Sequence, residues 1–354
     1  MTQTAVAGAP STTDRSTATG RGGRDPFFDN AKWLLVTLVV IGHSWTLADE
    51  GYVTDRLYNW LYLWHLPAFV VVTGYLSRRF TWSRRHLRRL LTSVVIPYFV
   101  FEGLLALFRV GVGGEEFDQL WLDPHWPMWY LAALALWRLG TPALRGLAWA
   151  ALPLSVAVSL VGGTVPAEVA DVKRVMGLLP FFTLGLLLRP HHLAWLRRRA
   201  ARLGGVAVLL AGVPVALLVE SHLHTEWLYY RSSYADLEFG WVPGMAVRLV
   251  LLAVAVAMAL AAMAWIPARS TWYSRLGASS LVVYLFHGFV LKGAEYAGFE
   301  TWAQGRAWES LLLTTLGAVL LSLALAWRPV ARSLDVVVVP DDRVAALAAS
   351  RDKG

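Results

Sequence analysis

Apolar residues come in ten runs along the chain, separated by polar clusters. The runs lie near 29–48, 57–77, 88–110, 127–139, 142–162, 173–189, 203–220, 243–266, 276–293 and 308–328. Several reach the ~20 residues a helix needs to cross the hydrocarbon core of a bilayer. The pattern predicts an all-α, polytopic membrane protein with about ten transmembrane helices. Pro and Gly fall mostly between runs. Pro67, Pro97, Pro180 and Pro214 fall inside them, which neighbouring helices can accommodate by re-satisfying the freed carbonyls. Three regions are expected: a disordered tail over 1–26 rich in Ser, Thr, Ala and Gly, a membrane domain over 27–330, and a C-terminal tail over 331–354. The first region lacks the basic start and apolar core of a signal peptide.

Composition agrees with this picture. The 354 residues are 56% hydrophobic and 16% charged, unlike a water-soluble domain. The 18 Trp and 12 Tyr suit the aromatic belts of membrane interfaces. With no Cys, the chain has no disulfide, thiolate metal site or Cys nucleophile. The net charge of +8 raises the question of nucleic acid, but the placement of the charge answers it. With the N-terminus in the cytoplasm and alternating passes, 23 Lys and Arg fall on the inner side and 8 on the outer, with Lys32 at the boundary. The positive-inside rule then places both termini in the cytoplasm, and the basicity is a topology signal. No internal repeat is visible, which weighs against an inverted-repeat transporter.

The first run, "DNAKWLLVTLVVIGHSW", carries Asp29, Lys32 and His43. Lys32 and His43 are eleven residues apart, about three turns plus 20°, so they share a helix face about 16 Å apart in height. Asp29 falls on the same stripe. An ionisable group at membrane depth is expensive and is read first as functional, and imidazole suits proton transfer near neutral pH. The alternatives are a neutral His43 bonded to another helix and a Lys32 snorkelling at the inner interface. The basic stretch "SRRFTWSRRHLRR" holds six Arg, with Arg85 and Arg88 about 60° apart on a helix. Guanidinium groups suit phosphate; anionic lipid headgroups are the other reading. The loop "SHLHTEWLYYRSSYADLEFGW" (221–241) is aromatic and polar, suited to binding a sugar or to capping the membrane interface. His222, His224 and Glu220 present no third metal ligand beside the histidines, so no metal is expected.

An ordered set of motifs resembles the integral-membrane acyltransferase family 3. "FFDNAKWLLVTLVVIGHSW" resembles its first helix, with Arg or Lys, ten residues, then His. The "DNAK" start and "WHLPAFVVVTGYLSRR" look like the fucose 4-O-acetylase-type branch, with Leu66 and Thr73 as mild departures from Met and Ser. "RRHLRRLLTSVVIPYF", "WPMWYLAALALWR", "LPFFTLGLLLR" and "LGASSLVVYLFHGFVL" resemble later helices in order. The likeness runs from about 27 to 330.

The resemblance implies transfer of an acyl group, by default acetyl from acetyl-CoA, to a hydroxyl of a carbohydrate, glycolipid or related acceptor in the cell membrane. The donor's phosphates would sit on Arg85, Arg88 and Arg89, with Asp29 or Lys32 organising the donor end. His43 would act as general base or acyl relay. His65 and His287 are candidate partners or acceptor ligands, each also readable as a helix-packing hydrogen bond. Trp129 and Tyr130 are candidate acceptor contacts, or packing anchors. A proton-coupled transporter or glycan flippase is the rival class, and a non-catalytic assembly subunit the third.

Overall fold

The computed structural model describes residues 25–116, 121, 124–166 and 171–338. All but the last two residues of the predicted N-terminal tail and most of the C-terminal one lie outside these residues; Asp25 and Pro26 already belong to the start of the first helix. Among the described residues every regular element is helical. Five helices are long and apolar enough to cross a membrane: Arg84–Gly113, Arg199–His222, Trp241–Trp265, Leu276–Tyr296 and Ala307–Ala326.

Helix α1 (Pro26–Ser44) begins where the Asp25 carboxylate accepts the Phe27 N–H, with Pro26 in the first turn. It ends where the Ser44 hydroxyl turns back to the carbonyls of Ile41 and, across a helix gap, Thr314.

The single run predicted over 57–77 is two helices, α2 (Tyr52–Tyr62) and α3 (His65–Ser77). Pro67 is the reason. It has no N–H to give the Leu63 carbonyl, so the helix restarts with Pro67 in its first turn. A similar cause acts on the third run. Between α4 (Arg84–Leu90) and α5 (Ile96–Gly113) lies a wider π-type stretch, Leu91–Val95, just before Pro97. Helix α5 ends on Gly114 at φ 67°, a left-handed conformation that favours glycine.

The fourth run extends to Gly146 as α6 (Trp129–Gly146), through Pro142. It is followed by α7 (Ala151–Gly162), α8 (Val172–Leu187), the short α9 (Pro190–Leu196), α10 (Arg199–His222) and α11 (Trp241–Trp265). The chain closes with α12 (Ser280–Tyr296), α13 (Phe299–Ala303), α14 (Ala307–Ala326) and α15 (Arg328–Val338).

Helix α1 is central, packed against α3, α12 and α14, with most of its residues buried. Its Asn30 holds the α11–α12 connection: Nδ2 donates to the carbonyls of Pro267 and Arg269, and Oδ1 accepts the hydroxyls of Thr271 and Ser274. Helices α3 and α8 touch backbone to backbone. A Cβ on Gly74 would overlap the Phe182 carbonyl, and one on Gly185 the Val71 carbonyl. Helix α10 differs: of its 24 residues only Gly205, Gly212, Ala216 and Val219 are buried. An apolar helix with so little protein cover is matched to lipid.

Candidate active site

The break between α2 and α3 builds one wall of a cavity. The Leu61 carbonyl, which accepts the Trp64 N–H at 3.2 Å as α2 ends, also accepts the His65 ring, at Nδ1, 2.8 Å away. A neutral imidazole with Nδ1–H has its lone pair on Nε2. Gly42 on α1 faces this wall: a Cβ there would stand 3.1 Å from the Tyr62 ring and 3.7 Å from His65 Nε2.

The cavity has a volume of about 260 Å³. His43, His65, Trp129 and Tyr130 line it together, four of the residues picked out from sequence. Its remaining wall includes Tyr58, Tyr62, Trp126, Arg174, Tyr229 and Tyr284. Tyr58 and Tyr62 stack at 4.1 Å, and the Tyr58 and Tyr229 hydroxyls meet at 2.8 Å. Thr73 hydrogen-bonds the Tyr130 hydroxyl, so Thr in place of Ser retains the hydroxyl used here. Arg174 is buried, stacked 4.5 Å over Trp129, with Nη1 3.4 Å from the Asp171 carboxylate and Nε donating to the Tyr229 carbonyl.

His43 is not alone. Its Nδ1 lies 3.0 Å from Nε2 of His287 on α12, and both residues are buried. His287 Nδ1 lies 2.6 Å from the Tyr284 carbonyl, with the Val283 carbonyl at 3.2 Å. Carbonyls only accept, so His287 Nδ1 carries the hydrogen. With both rings neutral, His287 Nε2 must accept, and His43 Nδ1 must donate to it. The chain of bonds leaves the lone pair of His43 on Nε2. Trp126 covers the His43 ring at 4.4 Å, and the Tyr284 hydroxyl holds the Pro127 carbonyl of the same loop. Glu102 anchors that loop from α5 by accepting the His125 N–H at 2.8 Å.

The other predicted residues lie elsewhere. Lys32 and Asp29 form an ion pair at 2.8 Å in the first turns of α1 and do not line the cavity. Arg85, Arg88 and Arg89 are exposed on α4 and do not line it either. They belong to the end of the molecule where α1 begins. There Arg78 lies 3.7 Å over the Tyr75 ring, Tyr75 stacks on Phe28, and Arg138 Nε reaches Ser77 Oγ.

In the 221–241 loop, Trp227 and Tyr234 are packed inside the fold, while Tyr229 and Arg231 face the cavity. Glu220 is paired with Arg56 at 2.8 Å. Among the described residues no group of three or more His, Asp or Glu could hold a metal ion.

Sequence reading did not single out Tyr58, Tyr62, Trp126, Arg174 or Tyr284, and marked Tyr229 only as part of the 221–241 loop. They come from five separate segments. Outside that loop only Arg174, an intramembrane cation beside Asp171, carried a signal in its own neighbourhood.

Comparison with known proteins agrees with the motifs. The profile of the acyltransferase domain family matches residues 25–327. The nodulation protein NolL of Mesorhizobium japonicum is 25% identical over 352 residues, covering 90% of each chain. NolL of Sinorhizobium fredii is 25% identical over 195 residues, covering 49% of this chain and 50% of its own. No solved structure matches. The chain belongs to acyltransferase family 3, and it is a membrane acyltransferase.

Proposed function

We propose that this enzyme moves an acetyl group from acetyl-CoA to a hydroxyl of a carbohydrate or glycolipid acceptor, with His43 as general base. The observation that carries the reading is the His43–His287–Tyr284 chain of hydrogen bonds at the edge of an aromatic cavity. His43 Nε2 takes the proton as the acceptor oxygen attacks the thioester carbonyl. The tetrahedral intermediate collapses, the carbon–sulfur bond breaks, and the proton goes to the departing CoA sulfur. His287 accepts the His43 Nδ1–H throughout and stabilises the imidazolium that forms. Stacked aromatic rings suit the C–H faces of a sugar, and the stack of Tyr58 on Tyr62, with Trp129 and Tyr130, supplies them.

The reading takes ten passes with both termini in the cytoplasm, in the plasma membrane, on the bias of Lys and Arg among the loops. The α4 end then faces the cytoplasm, where CoA is. Its phosphates meet Arg85, Arg88 and Arg89, and the Asp29–Lys32 pair borders the mouth through which the thioester arm passes toward His43. The shorter helices complete these passes as packed members of the bundle, with α2 and α3 together making one.

The test is direct. Protein purified in detergent should consume acetyl-CoA when given glycoside acceptors and form an acetyl ester, and His43→Ala should abolish this. A carrier would show no turnover. Labelled acetyl-CoA without acceptor should leave no label on the protein, whereas an acyl-histidine relay would leave it.

A further inference from the structure

A second hollow adjoins the cavity. Its volume is about 310 Å³, and Tyr229 and Arg231 line both spaces. Arg231 is exposed and reaches across to Asp171 at 3.6 Å; Arg174, inside the cavity, holds the other oxygen of the same carboxylate at 3.4 Å. Asp171 thus ties the two spaces together.

The cavity of about 260 Å³ lies below the ~300–1,000 Å³ of usual small-molecule sites. It has to hold the reacting sugar and the acyl end of the donor. A second sugar has no room there. The adjoining hollow is the nearest space for it, and the two volumes together fall within the usual range.

The lining of the hollow carries five charged side chains, four of them in two ion pairs. Lys173 is buried with Nζ 3.5 Å from Asp236, and Arg231 faces Asp171. Glu226 accepts the Ser232 hydroxyl at 2.9 Å. Hydrogen bonds from the Ser233 side chain and backbone hold the Asp236 carboxyl below its usual range, so it stays ionised as an acceptor. A carboxylate or phosphate ligand would meet three carboxylates; an ammonium ligand would meet two cations. Neutral hydroxyls can donate to the carboxylates and accept from the cations without breaking charge balance.

We propose that this hollow is a second acceptor subsite, built for a neutral sugar unit beside the one acylated at His43. The inference rests on the acyltransferase reading. The acceptor is then a glycan of at least two units, its outer unit held by Asp236, Glu226 and Arg231.

The test uses the purified full chain with labelled acetyl-CoA. The acceptors are methyl hexosides of the gluco, galacto, manno and 6-deoxy series, each beside its neutral dihexoside and the analogue with a uronic acid as second unit. The neutral dihexoside should exceed its hexoside in kcat/KM by about tenfold, and the uronate analogue should lose that gain. Asp236→Asn should bring the ratio down severalfold. Glu226→Gln, on an exposed side chain, provides a second variant where the first fails to fold. A ratio near one in the parent enzyme, or an unchanged ratio in both variants, overturns the subsite and leaves the acyltransferase reading intact. Absence of transfer to every acceptor overturns both.

Discussion

The two ends of α1 lie in contrasting surroundings. At its C-terminal end His43 is buried, and each bond around it is fixed by the next, through His287 to the Tyr284 carbonyl and by Trp126 across its face. At its N-terminal end the charges are paired locally, as in Asp29–Lys32, or exposed, as on α4. A proton transfer needs one tautomer and one ring position, and burial supplies both. Binding a polyanion needs positive charge in reach, which exposed guanidiniums supply without a fixed cage. The His43 site is therefore where single substitutions should cost rate, and the exposed arginines of α4 where they should cost only affinity.

The largest effect is expected at His43. His43→Ala should lower kcat by roughly 10²–10⁴-fold, the range for loss of a general base, with KM for acetyl-CoA little changed. Turnover close to the parent rate would remove the distinction between the ends. Next comes His287, which acts through His43. His287→Ala should lower kcat by roughly one to two orders of magnitude and shift the pH–rate profile, because His43 Nδ1 loses the acceptor that fixes its tautomer. His287→Gln keeps an acceptor near that place and should recover part of the rate. An unaltered pH profile with lower expression alone would mark His287 as packing.

Much of the fold was legible because hydrophobic runs report burial in lipid and core alike. The breaks within them were not. Pro67 reads as a tolerated intramembrane proline, yet it splits the run into α2 and α3, and at the break the His65 ring reaches the Leu61 carbonyl. His43 was legible by depth and by its spacing from Lys32. Which of the two candidate histidines, His65 or His287, bonds it was not, since 244 residues separate it from His287 and only packing of α1 on α12 joins them. Most of the aromatic wall was hidden for the same reason: Tyr58, Trp126 and Tyr284 are ordinary interface aromatics one at a time.

Of smaller size is the effect expected at the exposed arginines of α4. Arg85→Gln and Arg88→Gln should each raise KM for acetyl-CoA by up to about fivefold, the scale of an exposed ion pair, and leave kcat at saturating donor unchanged. Added salt should raise KM in the parent enzyme and do so less in the double variant. A fall in saturated kcat would mean that these arginines shape the chemistry, against the contrast drawn between the ends.

The smallest effect concerns the loop that carries Trp126, at the His43 end but outside the helices. Burial, then the nearby charges of Arg109 and Lys292, push the His125 imidazole down to about 3. For Glu115, burial pushes the carboxyl up, but hydrogen bonds from Arg109 and Tyr296 and the charges of Arg109 and Lys292 outweigh it and bring it down to about 2. Both folded values lie below the unfolded ones, about 6.5 and about 4.3. As pH falls, the unfolded chain takes up each proton first, so the stability each group contributes is complete above its unfolded value and drains away below it. The His125 share is lost between about pH 6.5 and 3, the Glu115 share between about pH 4.3 and 2. The melting temperature in detergent should therefore fall through the first window and faster in the second. His125→Gln should make the first segment shallower, leaving the share of the buried His43, His65 and His287, and Glu115→Gln should make the second shallower. The Glu115 change should be modest because its carboxylate is partly open to solvent and screened. A melting curve that stays level from pH 6.5 to 3 would mean that His125 is protonated in the fold. The loop over His43 would then be held by a charge rather than by a half-buried neutral ring.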